Sequence, residues 1–222
     1  MFQTKTCAPD CPVCHGEGMI DHGAFGIEIC PNDPGKYFDT GVEAQDLAIV
    51  DLLPKTSLLS TLRKELKALM ASGCGMIYFQ GGYGIGKTVS AKAATVEAVI
   101  KYGSSLYRNQ SEIVNYLRAS YADDRGQAEY LRRLERFKNV RWLVVDEVGR
   151  DRNTDFGIES MNEIINARYQ GALRGQTMTV LVSNKMPEEV FDAYIVDRIR
   201  DTKFKVIKLA GKSLRAGKGV TK

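Results

Sequence analysis

No uninterrupted apolar run of about 18 residues occurs in the sequence, so nothing in it reads as a membrane-spanning helix. The opening "MFQTKTCAPDCPVC" lacks the apolar segment of a secretory leader, and the expected location is the cytoplasm. No internal repeat and no low-complexity segment is present, which argues against a solenoid or a tethering chain. Neither sign of charge dominates: 31 basic and 27 acidic residues leave a net +4, a mildly basic balance that permits nucleic-acid contact without demanding it. Cysteine is scarce beyond residue 30, where Cys74 stands alone; the other four crowd the start of the chain. Such clustering favours metal ligation over a disulfide framework. Residues 1–40 also hold too few large apolar side chains for a core, so something other than burial must organise them.

What is present suffices for one α/β core within 222 residues. From Thr56 to Ser72, "TSLLSTLRKELKALMAS" repeats apolar residues at helical spacing, and Gly73 is a natural stop. The apolar run Met76–Gln80 reads as a strand and leads into glycines. "SLYRN" reads as a short strand, "QSEIVNYLRASYA" as a helix, and "GQAEYLRRLERFKN" as a helix with Leu131, Leu134 and Phe137 on one face. "VRWLVVDE" is a continuous apolar run of buried-strand character, followed by the helix "IESMNEIINARYQGAL" and the strand "TMTVLVS". Strands alternating with helical patterns predict a parallel sheet with helices on both faces.

The stretch "GGYGIGKTV", Gly81, Gly82, Tyr83, Gly84, Ile85, Gly86, Lys87, Thr88 and Val89, fits a phosphate-binding loop between a strand and a helix. Its glycines let backbone N–H groups turn toward phosphates. Lys87 is expected to reach the β- and γ-phosphates of ATP, and the Thr88 hydroxyl to ligate magnesium. The metal also needs an acid at the end of a neighbouring buried strand, which Asp146 supplies; Glu147 beside it is placed to polarise an attacking water. A small-molecule kinase has no need of that second carboxylate, whereas an ATPase does. The third strand ends at Ser183 and Asn184, which puts Asn184 at the same sheet edge and in reach of the attacking water.

With "GGYGIGKT", "WLVVDE", "VLVSN", "NEIINARYQGA" and "IVDRIRD" followed by "GKSLR", the sequence resembles the AAA+ ATPases over about 52–215. Within them it is similar to the DnaC-type helicase loaders and their sisters, the IstB-type transposition helper ATPases. The resemblance implies an arginine finger at Arg198, with Arg200 close behind, and hence self-assembly, because such an arginine completes a neighbour's site. It implies an extra helix at "SEIVNYLRASYADD", whose Tyr116, Arg118 and Tyr121 are candidates for contact with single-stranded DNA. The larger AAA+ enzymes follow this segment with a helical lid; with about 20 residues after Lys203 no such lid is expected here, and Arg215 is expected to be a weak substitute for a lid arginine.

Cys11-Pro-Val-Cys14 has the spacing of a zinc knuckle, and Cys7 and Cys30 can complete a four-sulfur site, with His15 and His22 as rivals for the fourth place. The half "EICPND" carries one cysteine where a pair is usual. By resemblance to the loaders, this knuckle grips the replicative helicase. The expected organisation is a zinc-binding module at 1–40, a linker and leading helix at 41–72, the ATPase at 73–210 and a basic tail at 211–222. The expected function is ATP-dependent loading of a hexameric replicative helicase onto single-stranded DNA. A transposition helper and a non-hydrolysing adaptor or inhibitor are the alternatives, and small size with a lone knuckle points toward a phage-encoded version.

Overall fold

A computed structural model describes residues 40–214, apart from 44, 54, 123–125 and 151–153, together with 12, 19–21 and 27–29. Cys7, Cys11, Cys14, Cys30, His15, His22 and Arg215 lie outside the described residues, as does the side chain of Tyr121. The short strands β1 (Met19–Asp21) and β2 (Ile27–Ile29) pair antiparallel. The rest of the described chain alternates helix and strand: α1 (Gln45–Leu52), α2 (Ser57–Ser72), β3 (Gly75–Gly81), α3 (Lys87–Tyr102), β4 (Ser105–Asn109), α4 (Gln110–Arg118), α5 (Gly126–Asn139), β5 (Trp142–Val148), α6 (Asp155–Leu173), β6 (Met178–Ser183), α7 (Ala193–Ile199) and β7 (Lys205–Leu209). Among the described residues no helix is long and apolar enough to cross a membrane.

Local chemistry accounts for the leading helix. Thr56 caps α2 by accepting from the Leu59 N–H, and Gly73 ends it in the left-handed conformation. Leu59, Leu62, Leu66, Leu69 and Met70 fall on its buried face and join the core beneath the larger sheet.

The five strands β4-β5-β6-β3-β7 are parallel throughout. Alternate side chains serve opposite layers: Ile77, Phe79, Trp142, Val144, Val180 and Val182 pack with α2 and α3. Met76, Tyr78, Leu143, Val145 and Leu181 pack on the other face with α4, α5, α6 and α7. The acid-bearing strand β5 is not the neighbour of β3 that the sequence suggested, because β6 is inserted between them. Strand order depends on how crossovers pack on the two faces, which no local pattern records.

Leu131 corrects the expected face of α5. Leu134 and Phe137 are buried, whereas Leu131 is 48% exposed. A six-residue separation on a helix turns Leu131 about 120° away from Phe137, off the face that Leu134 and Phe137 bury.

Candidate nucleotide site

Gly81 closes β3 and Lys87 opens α3, so the loop between them spans a strand end and a helix start. Gly86 caps α3 at φ 92°, a left-handed conformation that favours glycine, and a Cβ there would also come within 2.5 Å of the Leu59 side chain. Lys87 is buried, and its Nζ donates to the carbonyl oxygens of Gly81 and Gly82, each at 2.7 Å, and to Asn184 Oδ1 at 2.9 Å. Burial pushes its pKa down, opposed by the attraction of Asp146.

Asp146 shares the facing of Trp142 and Val144, toward α3, and is buried. Its Oδ2 accepts from Thr88 Oγ1 at 2.7 Å and from the Tyr107 hydroxyl at 2.6 Å, and its Oδ1 accepts from the Glu147 N–H at 2.7 Å. Burial, and then the adjacent carboxylate, raise the Tyr107 pKa far above its usual value, so its phenol stays a donor. A hydroxyl and a carboxylate converging at a cavity wall are the oxygen donors a hard divalent cation takes, so these residues fit magnesium.

The β5–β6 ladder breaks between Val145 and Val148, and within that break Glu147 has φ 55°, the one described non-glycine residue with positive φ. Gly149 N–H donates to Gln110 Oε1 at 2.8 Å and Ser183 Oγ to the Val148 carbonyl at 2.6 Å, which hold the turn from both sides. The Glu147 carboxylate is ion-paired with Arg150.

Asn184 follows β6 directly, and its carbonyl accepts from Gln80 Nε2 at 3.1 Å. Lys87, Thr88, Asp146, Glu147, Arg150 and Asn184 line one cavity of about 300 Å³ with Leu53, Tyr83, Val182 and Leu214. Leu214 is brought there by its N–H, which donates to the Gly84 carbonyl at 2.8 Å. The structure thus brings together the loop residues, Asp146, Glu147 and Asn184 as the sequence suggested. Tyr107, Arg150, Leu53 and Leu214 were missed, since nothing in their local sequence distinguishes them from ordinary strand, turn and tail residues.

Arg198 is not among the residues lining the cavity. Its Nε donates to Asn166 Oδ1 at 2.8 Å, an Nη donates to the Tyr194 carbonyl at 3.1 Å, and its guanidinium lies 3.4 Å from the Tyr194 ring centre. Arg200 is ion-paired with Glu188. Tyr116 meets Phe137 edge-to-face and lies under the Arg133 guanidinium, while Arg118 donates to Thr154 Oγ1 at 3.0 Å. Among the described residues no group of three or more His, Cys, Asp and Glu side chains is arranged to hold a metal ion, and the zinc candidates lie outside them.

Residues 64–218 match the sequence family described as "IstB-like ATP binding protein". No curated protein matches the chain. Several solved structures share the fold. The AMPPCP-bound DnaA from Aquifex aeolicus aligns with a TM-score of 0.61 at 17% identity, over 75% of this chain and 51% of that one. A DnaC helicase loader aligns at 0.56 and 18% identity, over 79% and 99%. DnaI aligns at 0.57 and 19%, over 75% and 93%. The chain therefore spans nearly all of the two shorter structures but about half of the DnaA chain, and 44% of a DNA replication initiation factor.

Proposed function

The chain belongs to the IstB-like ATP binding protein family, and from that premise we propose that it hydrolyses ATP with magnesium and uses the cycle to place a hexameric replicative DNA helicase on single-stranded DNA. One observation carries the ATPase reading: Lys87, Thr88, Asp146, Glu147 and Asn184, from two strand ends and a helix start, converge on a single cavity. The phosphates lie in the loop, and Lys87 exchanges the Gly81 and Gly82 carbonyls for β- and γ-phosphate oxygens. Leu53, Leu214 and Tyr83 offer the base apolar surface. Magnesium held by Thr88 and Asp146 would neutralise charge on those phosphate oxygens. Glu147 accepts a proton from a water that Asn184 orients. The water oxygen bonds to the γ-phosphorus, and the bond to the β,γ-bridging oxygen breaks with its electron pair left on ADP.

The loader half of the reading is supported by the resemblance and by a fold shared with a DnaC loader over almost that whole chain. In it, Cys7, Cys11, Cys14 and Cys30 hold one zinc and form a module that grips the helicase. Arg198 completes the site of the next subunit, and Tyr116, Arg118 and Tyr121 lie toward the DNA. The family description itself favours a second reading, an IstB-type helper that recruits a transposase. Affinity capture with the purified replicative helicase and, separately, with a transposase distinguishes them: retention of the helicase alone supports the loader, retention of the transposase alone the helper. For the chemistry, Lys87→Ala should abolish ATP binding and Glu147→Gln should bind ATP without turnover. ATP affinity unchanged by Lys87→Ala would reject the nucleotide site, and with it the contrast to a non-hydrolysing adaptor.

A further inference from the structure

We infer that Arg150 is a second phosphate-binding residue of this site, which pairs with Glu147 when the cavity holds no terminal phosphate and transfers to the γ-phosphate when ATP enters. The inference rests on the ATP-site reading above and adds a residue that acts within its own chain.

Three observations carry it. First, the cationic side chains lining the nucleotide cavity are Lys87 and Arg150, whereas Arg198 is folded against Asn166 and Tyr194 on α7. Second, Arg150 is bonded to the very carboxylate assigned to water activation: its Nη1 pairs with Glu147 Oε1, and its N–H donates to the Glu147 carbonyl at 3.1 Å. The two side chains meet across the turn that this hydrogen bond closes, in which Gly149, its third residue, has φ 73° and Glu147, its first, φ 55°. Third, the pair is accessible to exchange. Both side chains are substantially exposed, 55% for Arg150 and 38% for Glu147, so the guanidinium is not locked by packing.

The exchange replaces one anion with a stronger one. A terminal phosphate offers three acceptor oxygens and more negative charge than a single carboxylate, and guanidinium binds it in the same forked geometry. Lys87 undergoes a parallel exchange from carbonyl oxygens to phosphate. The consequence is selectivity with gating: ADP leaves the Arg150–Glu147 pair closed, whereas ATP draws Arg150 away and frees the Glu147 carboxylate as the substrate that needs it arrives.

Calorimetric titration of the full-length chain with ADP and with AMPPCP, both with magnesium, tests this. Arg150→Ala should weaken AMPPCP binding about tenfold while leaving ADP within about twofold, a loss of one charge-assisted contact specific to the terminal phosphate. Glu147→Gln should strengthen AMPPCP binding severalfold by removing the competitor, and that gain should vanish in the double variant with Arg150→Ala. Arg150→Gln provides a second charge-removing variant of similar length. An unchanged ratio of AMPPCP to ADP affinity in both Arg150 variants, or a Glu147→Gln gain that persists without Arg150, overturns the inference and leaves the nucleotide site standing. Failure of the wild-type chain to bind either nucleotide overturns both.

Discussion

The Tyr107 hydroxyl donates at 2.6 Å to the same Asp146 oxygen that Thr88 engages at 2.7 Å. Tyr107 comes from β4, paired in register with Val144 of β5, so a residue from the sheet's far strand fixes the orientation of the carboxylate assigned to magnesium. Tyr107→Phe keeps the ring and its packing and removes only this bond. A lost hydrogen bond to a charged acceptor is worth about 1.5–3 kcal/mol, so the magnesium concentration for half-maximal ATPase activity should rise by about 10- to 100-fold. Titration of turnover against magnesium at saturating ATP checks it; an unchanged requirement means that Asp146 is oriented without Tyr107.

Arg168 on α6 is fully buried, and its guanidinium donates to the carbonyl oxygens of Phe137, Lys138, Val140 and Met178 and to Thr179 Oγ1. Burial pushes its pKa down, yet five neutral acceptors, two of them at the C-terminal end of α5, favour the cation. Arg168→Met would strand several buried carbonyls, at about 1–3 kcal/mol each where no water reaches them. The expected loss is at least about 3 kcal/mol, read as a lower midpoint in urea, with β4–β7 assembly compromised as a whole. A midpoint within error of the wild type would show that the carbonyls find other donors.

One zinc per chain is expected from Cys7, Cys11, Cys14 and Cys30, measured by elemental analysis of protein purified without added metal. A structural zinc contributes on the order of 10–16 kcal/mol to a small module, enough to organise a segment with so little apolar content. Replacing Cys11 and Cys14 by serine should remove the metal and helicase capture while sparing ATPase activity. Less than about 0.2 equivalents of zinc, with both thiols freely alkylated, is incompatible with the knuckle.

Arg198 acting in trans requires that it leave its stack on Tyr194, so turnover per chain should rise with protein concentration and rise further with single-stranded DNA. Arg198→Ala should bind ATP and lose turnover by a factor of about 10³ or more. Mixed with Lys87→Ala protein it should regain part of it, because one interface then combines an intact loop with an intact finger. No recovery, with wild-type activity independent of concentration, would assign Arg198 to the α7 surface alone.

What the sequence determined by itself was whatever neighbours along the chain decide. The loop Gly81–Thr88 is contiguous, and its glycines, lysine and threonine do their work within eight residues. The bounds of α2 follow from the Thr56 cap and the Gly73 stop, and the buried character of β5 from its unbroken apolar run. Tertiary structure decided the relations between distant segments. Inserting β6 between β3 and β5 set Asn184 against Lys87, and pairing β4 to β5 brought Tyr107 to Asp146. Arg168 carries a surface residue's charge in a helix and reads as exposed until five acceptors from α5, β6 and the loop between α5 and β5 close around it. Arg150 is three residues from Glu147 in the sequence, yet it is the turn between them, with positive φ at Glu147 and Gly149, that brings the two side chains together at the cavity. Such contacts depend on backbone path and strand order, and those are settled by how both faces of the sheet are covered.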